Sequence, residues 1–313
     1  MEKLIVSSSP HIRSKLTTNA IMRDVLIALL PATAAGVYYF GLRALLTIIV
    51  CVATSVVSEL LFNLICKKPQ TIGDLSAAVT GLILALTLPA KAELWQCAVG
   101  AVFAIIVVKC LFGGLGCNFA NPAATARAFL IIAFSASIGG GVATSTDLVA
   151  TATPLEIIKA GNDISALPSI LDMLIGNRSG AIGETCALAL IIGGIYLIIR
   201  KVIKWHTPAI YIGTVFILSI IIKQDLTVAL YQILGGGLIL AAFFMITDYV
   251  TTPINKSGKM IFAFGCGVIT VLIRFWGTYP EGISFAIILM NILSPYIEKW
   301  CTKKPFGKVG KAG

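Results

Sequence analysis

Long apolar stretches recur along almost the whole of this 313-residue chain, and nothing else limits its fold as strongly. A stretch of roughly 18 or more such residues can cross a hydrocarbon layer of about 30 Å as a helix. Inside lipid every backbone N–H and C=O must find a partner within the protein, which leaves helices and closed barrels. The runs here are continuous rather than alternating in polarity, so barrel strands are excluded. Charged residues make up 12% and hydrophobic residues 58% of the chain. A soluble domain would carry about 25% charge. The expected class is an all-α polytopic membrane protein, with residues 1–313 forming one membrane domain.

The hydropathy pattern predicts about ten spans, at 22–40, 43–66, 75–90, 93–113, 122–141, 181–200, 208–222, 226–247, 258–276 and 281–297. The third and seventh are short, as tilted, broken or re-entrant segments would be. Residues 1–21 are polar and mixed, without the apolar core of a cleavable signal peptide. Two five-helix halves are expected, 22–141 and 181–297, separated by a polar segment at 139–180 and followed by a basic tail at 298–313. The string Gly-Leu-Ile-Leu-Ala occurs at Gly81 and again at Gly237, and an Asn–Pro element occurs in each half, at Asn121-Pro122 and at Asn291 with Pro295. Because five is odd, two such halves would run in opposite orientations, the inverted-repeat plan of many transport folds.

The net charge of +10 does not indicate a nucleic-acid partner. With the N-terminus placed in the cytoplasm, sixteen of the 24 Lys and Arg residues fall on the inner side and six on the outer. Lys109 and Arg127 border an inner loop. That asymmetry is the positive-inside rule. It places both termini in the cytoplasm of a multi-pass cell-membrane protein, with the 139–180 segment on the outer face. The eight cysteines lie mostly within spans and lack the spacing of an iron–sulfur site. His11 and His206 are too far apart in sequence to argue a metal pair, and no metal-binding, Walker, Rossmann or Ser–His–Asp pattern is present.

A long loop outside lipid is where chemistry tends to be placed. Its middle reads Asp147-Leu-Val-Ala-Thr151-Ala152-Thr153-Pro-Leu-Glu156. Thr153 to Glu156 form a capping box with Pro at the first helical position, so a short helix should begin there. The Asp-x-x-x-x-Ala-Thr spacing also resembles the signal for attaching a flavin through its phosphate to a threonine. The two readings are compatible, because a helix N-terminus stabilises a phosphate.

Gly113 to Arg127 joins the fourth and fifth spans, with Asn118 and Asn121 as a capped turn or as amide ligands at the membrane edge. Arg127 enters an apolar run, where it would snorkel, pair with an acid or meet an anion. Arg274 to Gly282 ends the ninth span, and its Trp276 and Tyr279 suit either an interfacial belt or a flavin- or partner-contacting corner. Glu59, Glu184 and Asp248 are acids within or beside spans, where structural pairing competes with a functional role. Glu59 and Asp248 are the candidates for an ion pathway.

Several strings together resemble one family, the NqrB/RnfD membrane subunits of Rnf-type ion-translocating ferredoxin:NAD oxidoreductases and sodium-pumping NADH:quinone oxidoreductases. They are Ser9 to Arg13, Ile21 to Pro31, Gly113 to Arg127, Gly176 to Thr185, and Arg274 to Asn291, and the likeness runs from about residue 8 to 298. The absence of a long N-terminal extension favours the Rnf branch. The resemblance implies ten helices in a five-plus-five plan, FMN joined to threonine by a phosphoester, and a complex with the A, B, C, E and G subunits of Rnf. It also allows a second, non-covalent flavin such as riboflavin. Family sequences read Ser-Gly-Ala-Thr at the flavin site; here Ala150-Thr151-Ala152-Thr153 stands there, and Thr153 matches the modified position.

The function expected is therefore electron relay by a covalent flavin on Thr153, coupled to Na⁺ or H⁺ translocation. Asp147, Thr151 and Ala152 belong to the attachment signal, and Glu184 and Arg274 lie in the regions expected to contact the ring. No residue of the chain is expected to be catalytic by itself, and the chain should be inactive alone. The alternatives are an NqrB-like subunit, a five-plus-five small-solute channel or transporter, and a structural anchor for soluble redox partners. Flavin content separates the flavin-relay reading from the channel and from the anchor.

Overall fold

A computed structural model describes residues 17–138, 142–143, 150–151, 153–160, 167–176, 178–279 and 281–302. The described residues are almost entirely helical, as the continuous apolar runs require. Helix α1 spans Thr18–Ile65, starting where the Thr17 hydroxyl accepts the Ala20 N–H. At 48 residues it would be about 70 Å long if straight, twice the hydrocarbon thickness. It breaks instead at Gly41, whose φ of 65° is open to glycine at little cost. A turn at Ile72–Asp74 leads to α2, Ser76–Thr87. Helix α3, Leu94–Val102, widens into a π-helical segment at Phe103–Cys110. Asn121 caps the next helix, α4 (Pro122–Ala133), with Pro122 at its first position, and α5 (Ser135–Ile138) continues it.

The polar segment that follows contains a two-residue antiparallel ladder, β1 (Val142–Ala143) with β2 (Ala150–Thr151), and two short helices, α6 (Pro154–Ala160) and α7 (Ile170–Ile175). The remaining helices are α8 (Ala187–Ile199), α9 (His206–Lys223), α10 (Leu226–Leu234), α11 (Leu238–Leu240, widening into a π-helical Ala241–Met245), α12 (Lys256–Trp276) and α13 (Ile283–Cys301).

Among the described residues, three helices are long and apolar enough to cross a bilayer, or four if α10 and α11, bent by 61°, are one broken span. The seventh predicted span is a continuous helix, so the break falls one span later than its neighbour's shortness suggested. Its cause is Gly235-Gly236-Gly237, of which Gly236 and Gly237 sit at φ 62° and 68°. The apolar run continues across these glycines, which hides the interruption from hydropathy.

Side chains point outward as a lipid solvent demands. Leu30, Leu64, Ile199 and Ile221 are each more than half exposed, while Leu29, Leu84, Leu86 and Ile182 are fully buried. So many exposed apolar side chains around a close-packed apolar core would be untenable in water, and the protein is membrane-embedded. Helix α1 packs on α2, α3 and α8; α12 packs on α9 and α13; and α13 crosses to α4. The polar segment is seated on this bundle through α6 and α7, which touch α10. Ile158, Met173, Val228 and Tyr231 form the small apolar cluster of that seat.

Candidate functional site

The break between α10 and α11 exposes backbone groups that a continuous helix would satisfy internally. Two buried arginines take over its carbonyls. Arg274, from the end of α12 and 3% exposed, donates Nη1 to the Gln232 carbonyl at 2.5 Å and to the Gln232 side-chain Oε1 at 3.0 Å. Its Nη2 reaches the carbonyls of Gly235 and Gly236 at 3.1 and 3.4 Å. Arg178 donates to the Leu234 carbonyl at 2.7 Å and to that of Glu184. Burial lowers the proton affinity of the Arg178 guanidinium, and the nearby carboxylates of Glu184 and Glu281 oppose that effect. Arg127 of α4 pairs with Glu281 at 2.6 Å. The Glu184 carboxylate lies against the space where a side chain on Gly237 would begin, and the φ of 68° at Gly237 favours glycine there.

Helix α6 is built into this cluster. The Thr153 hydroxyl accepts the Glu156 N–H at 3.3 Å, and the Glu156 carboxylate accepts the Thr153 N–H at 2.7 Å, the reciprocal bonds of the expected capping box. Thr153 is buried, and Leu155, two residues on, packs against Gly235 and Gly236. Lys159 at the other end donates to the carbonyls of Gly277 and Tyr279 at 2.6 and 3.0 Å, and burial lowers its affinity for a proton. The structure thus draws Thr153, Glu184 and Arg274 toward one helix break from three distant parts of the sequence. Of Thr151, only the backbone pairing with Val142 is described. Asp147 and Ala152 lie outside the described residues.

Glu59 and Asp248 belong to a different region. Both Glu59 oxygens lie 3.0 Å from Lys109 Nζ, and both residues are only 2% exposed. Lys109 also donates to Ser76 Oγ at 2.6 Å, and the Thr71 hydroxyl donates to Glu59 at 2.6 Å. Ser76 Oγ in turn donates to Asp74 at 2.5 Å. Lys109 forms one wall of a cavity between the halves, about 750 Å³ including its open mouth, with Asn118, Asn121 and Asp248 on its other walls. Asp248 accepts from the Thr251 hydroxyl at 3.0 Å and the Val250 N–H at 3.3 Å. Asn121 donates to the Met245 carbonyl at 3.3 Å and so ties α4 to α11.

Sequence reasoning missed Gln232 and Arg178 as members of the cluster at the break, and Lys109 as the partner of Glu59. Only Gly235 to Gly237 carried a readable signal, because consecutive glycines in an apolar run mark a breaker.

The NQR2, RnfD, RnfE family model matches residues 5–307, and the chain belongs to that family. The D subunit of the Na(+)-translocating ferredoxin:NAD(+) oxidoreductase complex of Acetobacterium woodii is 48% identical over 307 residues, covering 97% of this chain and 95% of the relative. The D subunit of the proton-translocating ferredoxin:NAD(+) oxidoreductase complex of Clostridium ljungdahlii is 39% identical over 316 residues, 96% of each. The D subunit of the ion-translocating oxidoreductase complex of Halorhodospira halophila is 36% identical over 339 residues, covering 96% and 95%.

Proposed function

We propose that this chain is the flavin-carrying membrane subunit of an Rnf-type ion-translocating ferredoxin:NAD⁺ oxidoreductase complex, with FMN attached through its phosphate to Thr153. The observation that carries the site is the placement of Thr153: it caps a helix that rests on a break surrounded by three buried arginines. A helix N-terminus suits a phosphodiester, and the arginines line the break on which that helix rests. Nε of Arg178 and Arg274 and Nη1 of Arg127 are buried donors without a hydrogen-bond partner among the described residues, which fits a site meant to receive acceptor-rich groups. When bound, the flavin supplies the electron-transfer chemistry. The chain's own part is to fix the attachment point, to hold Arg178 and Arg274 by backbone carbonyls, and to keep the region dry.

The chain works as one subunit among the A, B, C, E and G subunits of Rnf. It moves electrons in step with Na⁺ or H⁺; two of the relatives above are named for different ions. A second, non-covalent flavin would take the cavity walled by Lys109, Asn118 and Asn121. The buried Asn118 Oδ1 lacks a partner there among the described residues and offers an acceptor to a ring N–H. Ten spans in two inverted halves, termini inside and the 139–180 segment outside, accommodate the described helices. In support, Ser76 and Gln232 each stand five residues before the repeated Gly-Leu-Ile-Leu-Ala, and each receives a hydrogen bond from a buried cation, Lys109 in one half and Arg274 in the other.

The test is flavin retention by the denatured chain made with a competent flavin transferase. Wild type should fluoresce under ultraviolet light, Thr153→Ala should not, and Thr151→Ala should keep most of the signal. A peptide adduct on Thr151, or none at all, would refute the assignment.

A further inference from the structure

A second cavity, about 330 Å³ including its mouth, lies between α6, α9, α10 and α12. Its charged walls are Lys159, Lys223 and Arg274, with the Gln232 amide beside them and, among the described residues, no acid in the lining. Lys159 spends two of its three N–H groups on carbonyls, and Lys223 sits 5.9 Å from the centre of the Phe275 ring. Arg274 is bonded to neutral oxygens, and its buried Nε has no partner among the described residues. Three cations converging on one space without a carboxylate are complete only with an anion, and charge-assisted bonds to phosphate suit guanidinium and ammonium alike.

We propose that this cavity binds a phosphate oxyanion, and that its occupant is the headgroup phosphate of an anionic phospholipid in the outer leaflet. The leaflet rests on the orientation proposed above; the oxyanion chemistry does not. The walls favour a lipid over a free ion. Leu155, Ile158 and Phe275 give the space an apolar side. Trp276, 67% exposed, stands beside Phe275 at the end of α12, where an interfacial aromatic belongs. Farther along the two helices, Ile221 of α9 and Leu272 of α12 are exposed and offer a surface for acyl chains. Basic pockets between transmembrane helices bind anionic lipid headgroups on the cytoplasmic side, and the same charge complementarity operates in either leaflet. Thr153 is not in the lining, but the cavity shares Arg274 with the region proposed above for the flavin, so the test below has to separate the two.

The experiment titrates the full chain, purified in detergent, with phosphatidylglycerol or phosphatidylcholine and reads bound lipid by native mass spectrometry. Wild type should retain one phosphatidylglycerol with about tenfold preference over phosphatidylcholine. Lys159→Gln with Lys223→Gln should abolish the preference, whereas Lys67→Gln with Lys68→Gln, the same charge loss elsewhere, should leave it. Thr153→Ala should also leave it. A preference that survives the Lys159/Lys223 double substitution, or falls equally in both double variants, overturns the proposal. Inorganic phosphate that stabilises the chain while phosphatidylglycerol shows no advantage would assign the site to free phosphate and overturn the lipid. Lipid binding that emerges only in Thr153→Ala would overturn it too, giving the pocket to the flavin's own phosphate without touching the covalent assignment.

Discussion

Each half of the molecule sets a buried cation just ahead of its Gly-Leu-Ile-Leu-Ala segment, yet the two neutralise it differently. In the first half Lys109 meets the Glu59 carboxylate directly, so the pair leaves no net charge. In the second half Arg274 is held by the carbonyls of Gln232, Gly235 and Gly236, and among the described residues no carboxylate bonds it. Around it stand Arg127 and Arg178 with Glu184 and Glu281, three guanidiniums against two carboxylates. The first arrangement is closed and reads as structure. The second is open, and its unmatched positive charge is what an anionic cofactor or lipid would complete.

The sharpest way to break the comparison is to remove one cation from each half. Lys109→Met strands a buried carboxylate, and the cost should be about 3–5 kcal/mol. Thermal melting in detergent, followed by intrinsic fluorescence, measures it. If the pair is closed, Glu59→Leu made in the same chain should recover most of that loss, because replacing both partners of a buried pair is often close to neutral. Failure of the second substitution to recover stability would mean that Lys109 serves something other than Glu59.

Arg274→Leu strands no opposite charge but orphans the carbonyls at the break, a loss of about 2–3 kcal/mol. No second substitution should rescue it, since no single acid is its partner. Arg274→Lys should recover only part, because an ammonium cannot span the fork between the Gln232 and Gly235 carbonyls as a guanidinium does. Full recovery by lysine would show that charge alone, and not the bonding of the break, is what Arg274 supplies.

What the sequence disclosed follows the range of the interactions involved. The capping box at Thr153 and Glu156 and the Asn121 cap are contained within four residues, and both were legible. Membrane class and the approximate positions of the apolar helices followed from hydropathy, which is also local. The pairing of Lys109 with Glu59 bridges 50 residues, and that of Arg274 with Gln232 bridges 42. Helix packing alone decides which partner meets which, so Glu59 could be flagged as an unusual acid but not paired. The break at Gly235 leaves a trace in three consecutive glycines, which hydropathy does not register because the residues on both sides are apolar. Gathering Thr153, Glu184 and Arg274 at that break required the fold.

Within the open cluster the capping box is a smaller element, and it separates structure from attachment. Glu156→Ala removes the carboxylate that accepts the Thr153 N–H while keeping the threonine hydroxyl, at a cost of about 0.5–1 kcal/mol. Flavin should remain covalently bound, at a level set by how well α6 stays docked on α10. Peptide mass spectrometry quantifies the adduct. Loss of flavin as complete as in Thr153→Ala would show that attachment needs the formed helix start, and not only the local sequence signal.

The smallest effect is expected at Arg43 and Glu93, 3.8 Å apart with side chains 40% and 59% exposed. This is the same chemistry as the Lys109–Glu59 pair, a cation beside a carboxylate, but it is reached by solvent. Screening and the entropy of holding two long side chains leave such a pair worth about 0.5 kcal/mol or less. Arg43→Ala should therefore shift the melting temperature marginally, and the shift should shrink further as salt is raised, since exposed charges are screened and buried ones hardly are. Lys109→Met should show no such salt dependence. A large, salt-insensitive loss at Arg43 would mean that this pair is shielded from solvent in the protein as purified, and the contrast between closed and open charge would then have to be redrawn with Arg43 on the closed side.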